Sequence, residues 1–173
     1  FRGTVSGNAL SSKKIDILEE ILDLKWNKEK NTLYYTIEYH IQADESGKQV
    51  PLLFHAEGYL GEFQVWIDGN KVKILEISYD FLKDPDSPFY YKNYSPFSVN
   101  NMESYREEIP VKDLMYFETN LSKGKHLIRV EYESSASVDT SRWTNEYTFR
   151  YSLLPARFWR SFGSLTIKTD FTG

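Results

Sequence analysis

The sequence predicts an all-β fold, an antiparallel β-sandwich of the immunoglobulin-like or jelly-roll-like type with about seven to nine strands. Three observations support this prediction. Aromatic residues, which favour strands, make up 16% of the chain. Apolar and polar residues alternate with period two in several short stretches, and turn signals separate these stretches without the spacing of βαβ units. The 173 residues match the size of one domain, so we expect a single hydrophobic core.

The first element, residues 13–26, is compatible with a helix or a strand. The helical alternative has an apolar stripe of Ile15, Leu18 and Leu22. Ser11 or Ser12 would be its N-cap. The strand alternative has faces that exchange at a bulge, with Ile15 and Ile17 before it and Glu20, Leu22, Leu24 and Trp26 after it. Only a short polar turn at 27–31 separates this element from the next strand. The sequence therefore favours the strand, because a hairpin is the simplest connection.

Residues 33–42 form the clearest strand of the chain. One face is apolar and carries Leu33, Tyr35, Ile37, Tyr39 and Ile41. The other face is mainly polar and carries Tyr34, Thr36, Glu38, His40 and Gln42. This alternation is typical of a strand with one face on the core and one face in water.

Later strands follow the same rule. A tight hairpin is expected at Asp68-Gly69-Asn70, where glycine supplies a positive φ between two alternating stretches. A turn at Lys123-Gly124 precedes a strand with His126, Ile128, Val130 and Tyr132 on its inner face. Two further strands are expected at 147–151 and 165–171. Pro155 is expected to end the first of them, and Gly163 is expected to allow the turn into the second.

The segment 79–117 departs from this pattern. It contains four of the six prolines and shows little alternation before its end. It is also rich in aromatic residues, which are uncommon in disordered linkers. We therefore expect residues 1–173 to form one sandwich domain in which 79–117 is a long, aromatic-rich loop or insertion.

Composition excludes several classes of function. A net charge of −4 and a pI near 5.5 leave no broad cationic surface, so nucleic acid is not an expected partner. No apolar run reaches the ~18–20 residues of a membrane helix, so no transmembrane segment is expected within the chain. The absence of cysteine excludes disulfides, thiol nucleophiles and cysteine-type zinc sites. No cofactor is predicted.

Catalytic motifs are not found in the sequence. The three histidines, His40, His55 and His126, lie on three different predicted strands without a ligand-like spacing. No G-x-S-x-G turn and no phosphate-binding loop is present. No catalytic residue is therefore assigned, and we expect no catalytic activity. If the chain were a hydrolase, the candidate carboxyl pairs would combine Asp84 or Asp86 with Glu103, Glu107 or Glu108.

Asp80, Asp84 and Asp86 are the best candidates for a metal site, and the ion would be Ca²⁺. Calcium prefers six to eight oxygen ligands, and oxygen-rich loops can supply them. This stretch lacks the glycine and the terminal bidentate glutamate of a regular calcium loop. A solvated acidic loop is the favoured interpretation, so no metal site is assigned.

An aromatic link between the last two predicted strands is the main candidate for ligand or partner binding. Its candidate residues are Arg157, Phe158, Trp159 and Arg160, and Tyr90 and Tyr91 of the long loop are added to them. Aromatic rings with guanidinium donors suit stacking on a sugar or anchoring of a partner protein. The alternative, which we favour, is that Trp159 and one phenylalanine cap the open end of the sandwich.

Several stretches together resemble a family of secreted or surface-anchored bacterial β-sandwich domains of unknown function. They are the pattern Ile17, Glu20, Leu22 and Leu24, the strand LYYTIEYHI, the hairpin VWIDGNKV, the segment LSKGKHLIRVEY and the closing YSLLPARFWRSFGSLTIKTDF. The resemblance implies an extracytoplasmic location and a chain that is part of a longer exported protein. It implies no catalytic residue.

The predicted function is that of an extracytoplasmic bacterial module, structural or protein-binding. A carbohydrate-binding module that uses exposed aromatic rings is the first alternative, and a hydrolase of envelope polymers is the second. The expected partners are accordingly another protein or a cell-envelope polysaccharide.

Overall fold

A computed structural model of the chain describes residues 15–55, 59–75, 99–101, 105–107, 114–141, 143–148 and 160–172. All regular secondary structure within these ranges is β-strand, so the all-β prediction is confirmed there. The strands are β1 (Ile15–Asn27), β2 (Thr32–Ala43), β3 (Gly47–His55), β4 (Tyr59–Ile67), β5 (Asn70–Val72), β6 (Val99–Asn101), β7 (Tyr105–Glu107), β8 (Leu114–Leu121), β9 (Gly124–Ser135), β10 (Ser137–Asp139), β11 (Glu146–Thr148) and β12 (Ser161–Asp170).

Six strands form the main sheet, in the order β12-β1-β2-β9-β4-β5, and three strand pairs form separate small sheets, β3-β8, β6-β7 and β10-β11. The main sheet is mixed, because β12 lies parallel to β1 while its other strand pairs are antiparallel. The prediction of a wholly antiparallel fold is therefore wrong at this edge. Side chains alternate between the two faces with the same period in parallel and antiparallel strands, so the alternation of apolar and polar residues does not reveal the direction of pairing.

The ambiguous first element is a strand with a bulge, as the favoured interpretation predicted. Ile17 pairs with Ile41 and Glu19 pairs with His40, which leaves Leu18 as the extra residue. Leu18 is 40% exposed. The inward positions shift by one at this point, so that Ile15 and Ile17 are buried before it and Glu20, Leu22 and Leu24 are buried after it.

The predicted turns are confirmed at both hairpins of the sheet. Asn31 ends the β1–β2 connection with a φ of 52°. Asp68 and Gly69 form a two-residue loop between β4 and β5, with φ values of 49° and 80°. Positive φ values at both central residues are typical of a tight hairpin turn, because the backbone twist of that turn matches the twist of the two strands that it joins.

The core lies against one face of the main sheet. The apolar face of β2 is buried along its whole length, and the predicted inner residues Ile128, Val130 and Tyr132 of β9 are buried beside it. Tyr132 stacks between Tyr35 and Phe63, with ring centroids 4.5 and 5.4 Å away. Three residues of β8 belong to the same buried cluster, namely Met115, Phe117 and Leu121. The β3–β8 pair therefore contributes to the core of the main sheet.

Segment 79–117 is described only in part. Strands β6 and β7 and the first residues of β8 lie within it. These two short strands pair with each other, and Phe117 of β8 is fully buried. The remainder of the segment lies outside the described residues.

Candidate functional site

Arg160 is the one residue of the predicted binding set that falls within the described ranges. The other predicted positions lie outside them: Tyr90, Tyr91, Arg157, Phe158 and Trp159, together with the calcium candidates Asp80, Asp84 and Asp86.

The guanidinium of Arg160 bonds to other parts of the same chain, although the side chain is exposed. It donates hydrogen bonds to the carboxylates of Asp16 on β1 and Asp44 after β2, and its backbone N–H donates to the carbonyl of Ile15 at 3.2 Å. The hydroxyl of Ser161 donates to Asp16 at 2.7 Å. The hydrogen bond from Arg160 is the largest cause of the lowered pKa of Asp16, which is about 2. Arg160 thus fastens the beginning of β12 to two other strands.

Phe162 and Gly163 also lie in β12 rather than in a turn before it. Phe162 is half-buried and packs against the core. Gly163 is required by close packing, because a Cβ at this position would lie 2.0 Å from the carbonyl oxygen of Leu18 at the bulge. The expectation that Gly163 allows a turn is wrong, and its role is the close approach of two strands.

Ser122, His126 and Asp68 form an arrangement that looks like a nucleophilic triad. His126 Nδ1 lies 2.6 Å from Asp68 Oδ2, and its Nε2 lies 3.5 Å from the Ser122 hydroxyl. The same Nε2 is only 2.7 Å from the carbonyl oxygen of Ser122. A carboxylate and a carbonyl both accept hydrogen bonds, so both contacts are satisfied when each ring nitrogen carries a proton and the ring is an imidazolium.

This imidazolium is unsuited to general-base catalysis. Activation of the serine would require a free lone pair on Nε2, and that nitrogen donates to the carbonyl instead. Partial burial acts to lower the pKa of His126, but the hydrogen bonds to Asp68 and to the carbonyl of Ser122 outweigh it and raise the pKa. Asp68 also accepts from the N–H of Leu127 at 2.9 Å. The cluster holds the β4–β5 turn against the beginning of β9.

The β10–β11 hairpin carries the most exposed large apolar side chain in the described part of the chain. Trp143 lies in the loop between the two strands and has a relative exposure of 106%. Val138 and Tyr147 pair across the hairpin, and they are 39% and 37% exposed. Exposed apolar side chains grouped in this way are typical of interaction sites.

The base of this hairpin is anchored to the main sheet. Tyr147 meets Trp26 of β1 edge to face, with ring centroids 4.9 Å apart. The N–H of Ala136, just before β10, donates to the carbonyl of Asn31 at 3.0 Å. The anchored base holds the hairpin, while its loop presents Trp143 to solvent.

Two acidic residues face each other below the exposed tryptophan. Asp139 pairs directly with Glu146 across the hairpin, and both are exposed. The hairpin therefore carries an acidic pair at the loop end of its two strands, next to the loop that holds Trp143.

A concave surface lies at the β5 edge of the main sheet. It is a groove of about 390 Å³ between β4, β5 and β8. Phe63, Val72, Ile74 and Met115 supply its apolar part, and charged residues such as Glu62 and Lys71 line it as well. The chain that follows residue 75 lies outside the described residues, so we assign no ligand to this groove.

Two kinds of site are absent from the described ranges. No group of three or more histidine, aspartate or glutamate side chains is placed to hold a metal ion there. No helix in the same ranges has the length and apolar character to cross a membrane.

No protein family matches the chain, and no curated protein matches it. Similar solved structures include native leukotriene A4 hydrolase from Saccharomyces cerevisiae, with 15% identity, a TM-score of 0.43, and coverage of 76% of this chain and 16% of that one. An M1 zinc metallopeptidase from Deinococcus radiodurans has 9% identity and a TM-score of 0.36, covering 76% of this chain and 23% of that one. The chain thus spans less than a quarter of either enzyme, and neither fold nor activity is transferred from them.

The exposed Trp143 was not among the residues singled out from the sequence. The available signal was a single large aromatic residue in the polar run DTSRWTNE, between two very short strands. In such a run a tryptophan has few apolar neighbours to pack against.

Proposed function

We propose that the chain is a non-catalytic, protein-binding module of an extracytoplasmic bacterial protein, and that it binds its partner through the tip of the β10–β11 hairpin. The observation that carries this proposal is the full exposure of Trp143 on a hairpin whose base is anchored. Tryptophan is enriched among the residues that contribute most to protein–protein binding. The extracytoplasmic location rests on the resemblance to secreted and surface-anchored domains.

The scaffold in this proposal is a two-layered β-sandwich. The main sheet forms one layer and the β3–β8 pair belongs to the other. Supporting this, Met115, Phe117 and Leu121 of β8 share one buried cluster with the inner face of the main sheet. Two sheets that bury their inner faces against each other in this way form a sandwich.

The shape and charge of the hairpin define the partner surface. A single protruding indole fits an apolar pocket better than a flat surface, because the pocket removes water from both faces of the ring. The exposed Asp139, next to the loop, favours lysine or arginine at the rim of that pocket. We therefore propose a protein with an apolar pocket and a basic rim as the partner.

A polysaccharide is the less favoured partner. Sugar chains stack on platforms of several accessible rings, whereas the ring of Tyr147, on the same hairpin as Trp143, packs against Trp26. On the solvent face of the main sheet, the hydroxyl of Tyr34 donates to Glu131 at 2.6 Å. The ammonium group of Lys71 lies 5.9 Å from the ring of Trp66 on the same face. The rings on this face therefore already have polar partners.

Site-specific photo-crosslinking tests the proposal. A photoreactive phenylalanine would replace Trp143 in the cells that express the protein, and it would replace Lys30, in the β1–β2 turn, as the matched control. We expect one protein to be crosslinked from position 143 and not from position 30. The purified partner should bind the native chain in calorimetry, and Trp143→Ala should weaken this binding by at least about 2 kcal/mol.

Three results would contradict the proposal. They are the same crosslinks from both positions, no crosslinks from position 143, and a purified partner that binds Trp143→Ala as tightly as the native chain. Affinity electrophoresis against soluble polysaccharides forms a separate arm. Retardation of the native chain that is lost in Trp143→Ala would replace the protein partner by a carbohydrate.

A further inference from the structure

Strand β12 forms one edge of the main sheet and runs for ten residues, Ser161–Asp170. Within the described ranges, β1 is its only paired neighbour. The strand contains no proline, and its pairing with β1 is regular after Ser164. A long and regular edge of this kind presents unpaired N–H and C=O groups that can pair with another strand.

The end of this edge exposes apolar side chains. Ile167 is 55% exposed and Phe171, just past the strand, is 53% exposed. Thr169 lies between them in sequence, and Ile167 and Thr169 follow the period of two that places side chains on one face of the strand. Ile167 pairs with Leu22, so this is the face on which the core lies.

The opposite face of the same segment carries two charges that match those on β1. Lys168 pairs with Asp23, and Asp170 pairs with Lys25. The hydrogen bonds that the hydroxyl and the N–H of Thr172 donate to Asp170 are the largest causes of its lowered pKa, and the attraction of Lys25 adds to them. Lys168 and Asp170 therefore each lie opposite a residue of the other charge on β1, and the carboxylate of Asp170 is also held by Thr172.

We propose that β12 pairs antiparallel with β12 of a second copy of the chain, about a two-fold axis at Thr169. In this register Lys168 faces the partner subunit's Asp170, and Ile167 faces the partner subunit's Phe171. Because the interface is two-fold symmetric, both contacts occur twice. The sign of the charge then alternates across four strands, in the order Asp23, Lys168, the partner subunit's Asp170 and the partner subunit's Lys25.

Charge selects this register over its immediate neighbours, because an axis at Lys168 or at Asp170 would place that residue opposite its own copy, lysine on lysine or aspartate on aspartate. An axis at Thr166 would place Lys168 opposite the partner subunit's Ser164 and Asp170 opposite the partner subunit's Phe162. An axis at Ile167 would place Asp170 opposite the partner subunit's Ser164. Only the axis at Thr169 matches both charges and both exposed apolar residues of this segment. Opposite charges and apolar pairs at facing positions stabilise a sheet, whereas unmatched pairs do not.

The contact is small, so we expect a weak, concentration-dependent dimer rather than an obligate one. The proposal does not depend on Trp143 or on the proposed protein partner. The two surfaces belong to different sheets, and the variants that test them do not overlap.

Complementary charge variants test the dimer by sedimentation velocity over a range of protein concentrations. Lys168→Asp places two acids opposite each other in the homodimer, and Asp170→Lys places two lysines opposite each other. We expect each variant alone to dimerise about tenfold more weakly than the native chain or worse. An equimolar mixture should regain the dimer. In the mixed dimer the introduced aspartate of one variant faces the introduced lysine of the other, and the native lysine and aspartate that remain face each other.

Lys30→Asp, at the exposed β1–β2 turn, makes the same change in net charge as Lys168→Asp and should leave dimerisation unchanged. Melting curves of all variants check that they fold. Three results would overturn the proposal: a native chain that is monomeric at every concentration, a mixture that dimerises no better than its components, or a loss of dimer in Lys30→Asp equal to that in Lys168→Asp.

A cysteine crosslink tests the register separately. The chain has no cysteine, so Thr169→Cys introduces one thiol per copy, and the two thiols meet at the proposed axis. A short bismaleimide should convert this variant to covalent dimer much faster than Ser164→Cys, whose thiols lie far from the axis. Equal rates for the two variants would reject the register.

Discussion

The two outer strands of the main sheet are held in place by different means. Strand β5 follows β4 after the two-residue loop Asp68-Gly69, so the chain itself brings it to its neighbour. Strand β12 pairs with β1 from the other end of the sequence and in parallel. Its position depends on remote contacts, chiefly the hydrogen bonds of Arg160 with Asp16 and Asp44 and the close approach of Gly163 to Leu18.

This difference shows where the register of each edge strand is encoded. A hairpin turn fixes the register of an antiparallel pair locally. A parallel pair has no such turn, and the entropy of closing a long loop opposes it. Specific side chains must therefore select one alignment of β12 on β1. Substitutions at the two edges test this contrast.

Gly163→Ala should have the largest effect. The added Cβ would lie 2.0 Å from the carbonyl oxygen of Leu18, and this neighbour is backbone that cannot rotate away. We expect a loss of about 3 kcal/mol in the free energy of unfolding, measured by urea denaturation. Ser164→Ala is the matched control on the exposed neighbouring residue and should change stability by less than about 0.5 kcal/mol. Equal stability of the two variants would show that β12 is not packed closely on the bulge.

Arg160→Gln should have a smaller effect that depends on pH. Asp16 has its pKa lowered to about 2 by Arg160 and Ser161, so its charged form stabilises the folded state. This contribution is complete above the ordinary pKa near 3.8 and is lost as the pH falls toward about 2. Unfolding free energies between pH 5 and pH 2 should fall less steeply for Arg160→Gln than for the native chain. Parallel curves would contradict the role assigned to this ion pair.

His126→Gln tests the other edge with the opposite pH dependence. The pKa of His126 is raised in the folded chain, so its proton contributes stability below the ordinary pKa near 6.5, and this contribution is lost as the pH rises through the folded pKa. We expect the substitution to cost about 1 kcal/mol at pH 6 and less at pH 9. The pKa is measured by NMR titration of the ring protons. A value below 6.5 would reject the imidazolium assignment.

Trp143→Ala should have the smallest effect on stability, within about 0.5 kcal/mol, because its side chain is fully exposed. Trp26→Ala is the contrasting variant, since Trp26 packs against the core and supports Tyr147, and it should be clearly destabilising. Thermal melts compare the two. A large drop in melting temperature for Trp143→Ala would mean that this residue serves the fold rather than a partner.

Local patterns predicted the elements better than their arrangement. The bulge in β1 was readable because the apolar positions change phase between Ile17 and Glu20. The hairpin at Asp68-Gly69 was readable because few residues tolerate its backbone angles. The parallel pairing of β12 was not readable, since alternation is the same in either direction and no local signal links residues 16 and 161.

The candidate sites were harder to predict than the strands. Arg160 was singled out as a binding residue, but its partners Asp16 and Asp44 are distant in sequence, so its internal ion pairs were not foreseeable. The triad-like grouping joins Asp68, in the β4–β5 hairpin, to Ser122 and His126, at the connection between β8 and β9, and these two segments meet only in the folded chain. Exposure of Trp143 likewise depends on which surfaces the fold covers.

The sequence by itself determined that the chain is built from strands, where its clearest strands lie, which faces are apolar and where the tight turns fall. These properties depend on neighbouring residues and on a period of two. Only the tertiary structure decided that β12 lies parallel to β1, that Arg160 and His126 are structural ions, and that Trp143 is exposed. These properties depend on contacts between distant residues, which a single sequence does not order in space.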